Sequence, residues 1–302
     1  MKKNVLSLFD GMSCCQLALV KLGIKFEYFA SEIDKHAMAV TQKNFPNTKQ
    51  LGDVRNINVK DLPTIWAITA GSPCQSFSMA GKRKGMVTEE NVEVTSLSQY
   101  MKLKREGFQF VGQSYLFWEF VRILRDIKKL NPDVIFLLEN VKMSKKWEAI
   151  ITKTLGVEPI RINSSLVSGQ HRERLYWTNL PVSQPEDKGI MLSDIIPGAK
   201  GHGVRGRKFK KTDEKYTQYS TTRVDGKANC LVTSPCNTNK LIFKNGNIRV
   251  ITPTEAEKLQ TVPVGYTKVK GISPAQRYRM LGNGWTIDVI THILKNSKKY
   301  SK

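Results

Sequence analysis

Four sets of side chains in this chain could do chemistry: a thiol at Cys74, a carboxyl at Glu139, paired guanidiniums at Arg172 and Arg174, and carboxylates at Glu32 and Asp53. Cys74 follows Gly71-Ser72-Pro73 at the end of the apolar run Ile65-Trp66-Ala67-Ile68. Gly-Ser-Pro does not continue a sheet ladder comfortably, so the thiol falls just past a strand end. Open α/β sheets put their chemistry there. The thiol is then either a nucleophile or a buried structural cysteine packing as a small hydrophobe, and this stretch alone does not separate the two. Glu139 closes another apolar run, Val134-Ile135-Phe136-Leu137-Leu138. A carboxyl in so apolar a setting is expected to have a raised pKa and to be able to stay protonated; the alternative is a capping or structural glutamate. Arg172, Arg174 and Tyr176 alternate on a strand, which turns both guanidiniums to one face. Such a pair suits a phosphate or an oxygen acceptor, or else forms a solvated charged face.

The elements around these groups follow a recognisable order. Residues 4–9 read as a strand and 16–22 as a helix capped by Gly23. A strand over 28–31, a helix over 36–45 stopped by Pro46, and a strand over 49–53 follow. This βαβαβ order is the first half of a nucleotide-binding sheet. Glu32 ends the second strand, roughly 20 residues after Gly11, where a carboxylate accepts hydrogen bonds from ribose hydroxyls. Asp53 ends the third and could accept from an adenine amine. Either acid alone reads more simply as a surface carboxylate; together they favour an adenosine ligand. The first turn, Phe9-Asp10-Gly11-Met12-Ser13, lacks the second and third glycines that bring a helix end against a pyrophosphate. That disfavours a nicotinamide dinucleotide and favours a nucleoside without phosphate, such as S-adenosylmethionine.

Beyond Cys74, Gly81-Lys82-Arg83-Lys84-Gly85 suits a mobile, phosphate-touching lid, with 86–113 as its irregular extension. An apolar helix over 115–130, a helix over 147–155 and a strand over 158–163 come next. Residues 181–248 lose apolar periodicity and carry Arg205, Arg207, Lys208, Lys210, Lys211 and Arg223. Tyr216, Tyr219 and the run Cys230-Leu231-Val232 mark them as an ordered small module rather than a solvated linker. Helices over 254–260, 273–281 and about 286–294 return the chain to the first domain.

Composition bounds these readings. A chain of 302 residues, 40% apolar and 25% charged, has the make-up of a soluble globular protein with one large domain and a smaller one. No stretch reaches membrane-span length, and Asp10-Gly11 cuts the initial apolar run too short for a signal peptide. A cytoplasmic protein without a membrane partner is the expectation. Five cysteines in no disulfide or zinc pattern fit reduced thiols and no metal. Lys and Arg number 48 against 26 Asp and Glu, a net charge of +22. That excess points to a polyanionic partner, or to a chain that is simply basic throughout.

In order, these residues fall into seven blocks: Ser7-Leu8-Phe9-Asp10-Gly11, Ser31-Glu32-Ile33-Asp34, Gly52-Asp53-Val54, Gly71-Ser72-Pro73-Cys74-Gln75, Leu138-Glu139-Asn140-Val141, Gln170-His171-Arg172-Glu173-Arg174 and Gly282-Asn283-Gly284. With them the chain resembles the cytosine-C5 DNA methyltransferases over almost its whole length. Tyr115-Leu116-Phe117-Trp118-Glu119-Phe120 and Leu281-Gly282-Asn283-Gly284-Trp285-Thr286 look most like the eukaryotic de novo branch and its bacterial and phage relatives. The resemblance implies an α/β fold of the Rossmann-like methyltransferase type: a mixed seven-stranded sheet with one antiparallel strand, formed by residues 1–180 and 249–302. It also implies a small target-recognition domain over 181–248. S-adenosylmethionine would be the cofactor, held by Phe9, Asp10, Gly11, Met12, Ser13, Glu32, Ile33, Asp53, Val54, Gly71, Pro73, Leu116, Asn283, Gly284 and Trp285. Double-stranded DNA would be the partner, touched by Gln75, Ser76, Ala80, Lys82, Arg83, Lys84, Arg205 and Arg207. A monomer is expected, with a separately encoded restriction endonuclease as a partner that such relatives allow. Ser13-Cys14-Cys15 departs from the pattern, since relatives usually carry a further glycine there.

The implied reaction is DNA (cytosine-5-)-methylation, with Cys74 adding to C6 of a flipped cytosine and Glu139 donating a proton at the N3 edge. Arg172 and Arg174 would hold the base carbonyl or the backbone, or orient Glu139. Residues 76–85 would close over the base. An RNA cytosine methyltransferase with the same catalytic set, and an inactive DNA-binding module, are the competing expectations.

Overall fold

The computed structural model describes residues 2–73, 86–207, 217–235 and 238–300. Its chain order begins β1 (Lys3–Leu8), α1 (Cys14–Lys21), β2 (Phe26–Ser31), α2 (Lys35–Asn44), β3 (Lys49–Gln50), β4 (Ala67–Gly71) and α3 (Leu97–Arg105). It continues with α4 (Phe117–Leu130), β5 (Ile135–Asn140), α5 (Lys145–Leu155), β6 (Ile160–Asn163), β7 (Glu173–Thr178) and α6 (Leu192–Ile195). The last elements are β8 (Lys200–Arg207), β9 (Thr217–Thr222), β10 (Lys240–Ile242), β11 (Ile248–Val250), α7 (Pro253–Leu259), α8 (Pro274–Asn283) and α9 (Ile287–Leu294).

The first seven strands form one sheet in the order β3-β2-β1-β4-β5-β7-β6. Pairings from β3 across to β5 are parallel, and β7 is antiparallel to both neighbours. The expected mixed seven-stranded sheet with one reversed strand is therefore present. Strand order reverses between β1 and β4, the point where an open sheet leaves a crevice at the carboxyl ends of its strands. β7 matters here because of its direction. Running opposite to β5, it brings its first residues to the edge where β1, β2, β4 and β5 end.

β5 is buried along its whole length, as a central strand covered on both faces must be. Alternate residues feed two cores. Val5, Tyr28, Ala67, Ile135, Leu137 and Tyr176 pack on one face with α1 and α9. Leu6, Leu8, Phe29, Ile68, Phe136 and Leu138 pack on the other with α3, α4 and α5. α4 serves that second face through Phe117, Phe120, Val121, Leu124 and Ile127, a helical spacing of apolar residues.

Two local expectations change. β4 spans Ala67–Gly71 rather than the apolar run 65–68, so Gly71 belongs to the strand. Residues 86–113 are not irregular throughout: they hold α3, whose Tyr100 and Leu103 are buried. Its start is marked by Ser96, whose hydroxyl accepts from the Gln99 N–H at 3.2 Å, a cap at three-residue spacing.

β8 to β11 make a separate antiparallel sheet in the order β11-β10-β8-β9. It is fastened to the larger sheet through 227–231. Lys227 is buried and its ammonium donates to the carbonyl of Ser165 at 2.8 Å, while Gln170 and Ala228 form a bridge. Gln170 is itself buried and donates to the Leu259 carbonyl at 2.7 Å. The glutamine of the Gln-x-Arg-x-Arg block is thus a tie between β7 and α7.

Candidate active site

A cleft of about 770 Å³ opens at the carboxyl ends of the strands. Its first wall is the turn after β1. Phe9 and Ser13 take left-handed backbone there, φ 55° and 60°, on either side of Gly11 at 58°. That conformation costs a non-glycine residue on the order of 1 kcal/mol. It is held by Asp10, whose carboxylate accepts from the Ser13 hydroxyl and, at 2.8 Å, from the Tyr28 hydroxyl. Ser13 adopts the backbone that a glycine would take without strain, which explains how the chain departs from a glycine here while keeping the turn. Ser13 is fully buried behind the turn and does not line the cleft.

Glu32 closes the second wall. One carboxylate oxygen accepts from the Gly11 N–H at 2.8 Å, and the other from Ile33 and Asp34 N–H at 2.7 and 2.8 Å. The residue staples the ends of β1 and β2 together, with Ile33 exposed at the cleft mouth. Asp53 also lines the cleft, but Arg55 holds its carboxylate, with Nε at 3.0 Å from both oxygens. The Arg55 hydrogen bond therefore lowers the Asp53 pKa. Arg55 is a wall residue that the sequence reading did not single out. Val54, Gly71, Pro73, Leu116, Asn283, Gly284 and Trp285 line the remainder, with Asp10, Gly11 and Met12 at the floor.

Glu139 ends β5 on the same cleft. It lies opposite Gly71 on β4 and opposite Tyr176 on β7. Arg174, two residues before Tyr176, shares its face and reaches Glu139 with Nε 3.0 Å from the carboxylate. The second oxygen accepts from the Trp285 indole N–H at 3.2 Å. The setting is thus an ion pair plus an indole donor rather than the apolar surround expected from the strand. Gly71 makes room for that indole, because a Cβ there would stand 3.0 Å from the indole nitrogen.

Arg172 behaves differently from Arg174. It is buried and donates to the carbonyls of Leu231 at 3.1 Å, Gly282 at 3.1 Å and Gly284 at 2.7 Å. It is committed to backbone, fixing the Gly-Asn-Gly segment against β7, although it still borders the cleft. Cys230 lies between the two arginines and was passed over in the sequence because its run, Cys230-Leu231-Val232, reads as packing.

Cys74, Gln75, Ser76, Ala80, Lys82, Arg83 and Lys84 lie outside the described residues, as do Lys208, Lys210, Lys211 and Tyr216. Pro73, which precedes Cys74, borders the cleft. Arg205 and Arg207 lie on β8, paired in register with Tyr219 and Thr217 of β9. Among the described residues no group of His, Cys, Asp and Glu could hold a metal ion, and no helix is long and apolar enough to cross a membrane.

Comparison with known proteins adds a family to this geometry. The model of the C-5 cytosine-specific DNA methylases matches residues 3–155 and 164–299. A type II methyltransferase of Bacillus sp. strain RFL6, M.Bsp6I, is 26% identical over 98% of both chains. An orphan methyltransferase of Bacillus phage SPR is 39% identical over 108 residues, covering 35% of this chain and 24% of that protein. Among solved structures, S. pombe Dnmt2 methyltransferase superposes with a TM-score of 0.67 over 100% of both chains at 15% identity. The Entamoeba histolytica methyltransferase EhMeth does so at 0.65, with the same coverage and 16% identity.

Proposed function

The chain belongs to the C-5 cytosine-specific DNA methylase family, and on that premise we propose that Cys74 is the nucleophile and Glu139 the proton donor of its reaction. It is a DNA (cytosine-5-)-methyltransferase, with DNA as substrate and a fold of the Rossmann-like methyltransferase type. One observation carries the finer reading. Glu139, with both oxygens engaged by Arg174 and Trp285, opens into the same cleft as Glu32 and Pro73.

The methyl donor is S-adenosylmethionine, and the donor set suits it. A cleft of about 770 Å³ has the size of a small-molecule site. Glu32, at the end of β2, and the turn after β1 suit ribose and the amino-acid portion, with Asp53 near the purine. In this turn the Gly11 N–H is spent on Glu32 rather than turned toward a phosphate. When bound, the donor supplies an electrophilic methyl group.

Cytosine C5 is too weak a nucleophile to take that methyl unaided. The Cys74 thiolate forms a bond to C6, pushing the ring electrons toward C5, while Glu139, entering in its protonated form, gives that proton at N3 as charge gathers there. C5 then takes the methyl and loses its proton to a base, the Cys74–C6 bond breaks by β-elimination with the thiolate leaving, and the N3 proton returns to Glu139. Arg174 holds the Glu139 carboxyl in place throughout. A stacked cytosine offers no access to C6, so the base leaves the duplex, an unstacking that costs a few kcal/mol. Lys82, Arg83 and Lys84 engage phosphates. The β8–β11 sheet, which runs to Val250 just beyond the expected 181–248, is the target-recognition module, with Arg205 and Arg207 on β8. The enzyme acts as a monomer in the cytoplasm.

The test is covalent trapping. A duplex carrying 5-fluorocytosine leaves the adduct unable to lose a proton from C5. With S-adenosylmethionine present, the wild-type protein should form a denaturation-resistant complex, and Cys74→Ala should form none and transfer no methyl while still binding DNA. Methyl transfer by Cys74→Ala would sink the assignment. Parallel assays on tRNA test the RNA alternative.

A further inference from the structure

We propose that Cys230 is a positioning residue of this reaction: its sulfur is the shared acceptor that holds Arg172 and Arg174 side by side, and so keeps Arg174 on the Glu139 carboxylate. The inference rests on the role given to Glu139 above.

The geometry is a chain of contacts across the junction of the two sheets. Arg172 Nη1 lies 3.5 Å from the Cys230 sulfur and Arg174 Nη2 lies 3.8 Å from it. Both are within reach of a hydrogen bond to sulfur. Arg174 continues to Glu139 at 3.0 Å. Arg172 continues to the carbonyls of Gly282 and Gly284 at 3.1 and 2.7 Å. Two guanidiniums thus converge at a buried site that holds one carboxylate, and that carboxylate is paired with Arg174. Among the described residues Arg172 has no carboxylate partner, only carbonyls and the sulfur.

Like charges brought together away from water repel. Without an acceptor between them, the two guanidiniums would turn their facing ends apart. Arg172 is anchored by carbonyls from three residues, while Arg174 Nη1 donates to the Glu173 carbonyl at 2.8 Å and its Nη2 turns to the sulfur, so the sulfur fixes the end of Arg174 that faces Arg172 and thereby the angle at which Nε meets Glu139. A polarizable sulfur between the two removes that drift. Burial pushes the Cys230 thiol up, and the fields of Arg172 and Arg174 outweigh it, leaving the thiol below its ordinary range. Cys14 and Cys15 are more deeply buried and are pushed up by burial to about 12, Cys14 despite a smaller lowering by Arg172.

The position of Cys230 is set from the second sheet. Its carbonyl accepts from Asn239 Nδ2 at 3.0 Å, and Asn229 beside it donates to the His202 carbonyl on β8 at 3.1 Å. The sulfur also lies 3.5 Å from the Leu231 carbonyl, the acceptor it shares with Arg172. The small sheet therefore reaches the catalytic carboxyl through one thiol.

Cys230→Ala, Cys230→Ser and Cys230→Asp separate this role from packing, assayed by tritiated methyl transfer onto unmethylated plasmid DNA and by S-adenosylmethionine binding. Losing a charge-assisted contact should lower kcat of Cys230→Ala by roughly tenfold, with cofactor Kd unchanged. Restoring an acceptor, as Ser or Asp, should recover most of it. A Cys230→Ala enzyme within twofold of wild type overturns the proposal. So does a loss that neither Ser nor Asp repairs, or one matched by an equal loss of cofactor binding. Peptide mapping after brief iodoacetamide treatment of the wild type gives a readout independent of activity. The Cys230 alkylation rate, followed against pH, should rise to its half-maximum below the pH at which a free cysteine does, and a midpoint at or above that of free cysteine overturns the electrostatic argument. Inactivity of the wild type itself would instead count against the reading of the site.

Discussion

Asp10 is buried at the floor of the cleft, and burial pushes its pKa up to about 6 against hydrogen bonds from Ser13 and Tyr28 that pull it down. A carboxyl whose folded pKa lies above its unfolded value of 3.8 binds its proton more tightly when folded. Its contribution to stability is fully present below the unfolded value and is lost as pH rises through about 6. Asp10→Asn does not titrate. Denaturant unfolding of both proteins between pH 4.5 and 7.5 should therefore show the wild type losing about 2 kcal/mol relative to the variant. Parallel stability curves would remove Asp10 as the source. At this scale the sequence carried much. Glu32, Glu139 and Arg174 were visible as carboxylates and a guanidinium at strand ends. The ion pair that unites Glu139 with Arg174 was not, because it depends on the register of β5 against β7.

Elements decide how closely the parts of the cleft can approach. In the last turn of α8, Gly282 lies against the backbone of Val232 and Thr233, where a Cβ would lie 2.4 Å from the Val232 carbonyl carbon and 2.5 Å from the Thr233 nitrogen. Neither neighbour is the free end of a side chain, so the backbone itself must shift. Gly282→Ala is expected to cost roughly 1–3 kcal/mol by overpacking and to disturb the carbonyl that Arg172 grips. Urea unfolding measures the first effect. A variant as stable as the wild type would show that the segment yields freely. The Gly-Asn-Gly block was legible as a motif, but not the reason for its first glycine, since the Val232–Thr233 segment comes from another part of the chain. α3 was missed for an opposite reason. Its cap, Ser96 with Gln99, is local and readable, but its polar surface hid the two residues, Tyr100 and Leu103, that it buries.

Across the whole molecule, a net charge of +22 meets a polyanionic substrate. If about six phosphates are neutralised, log Kobs for duplex DNA should fall against log salt with a slope near −5. Fluorescence anisotropy from 50 to 200 mM salt measures it, and a slope shallower than −2 would mean that the charge serves something other than DNA. The order of strands and helices, the strand-end acids and the seven blocks were determined by the sequence itself. Apolar periodicity and chain order are local properties, and each element's composition sets them. The tertiary structure alone decided which groups meet. β7 runs backwards beside β5, so Arg174 faces Glu139. The Trp285 indole crosses Gly71 to reach the same carboxyl. The small sheet sets Cys230 between two arginines far from it in sequence. Such contacts depend on register and on the packing of distant segments, and no stretch of sequence contains that information by itself.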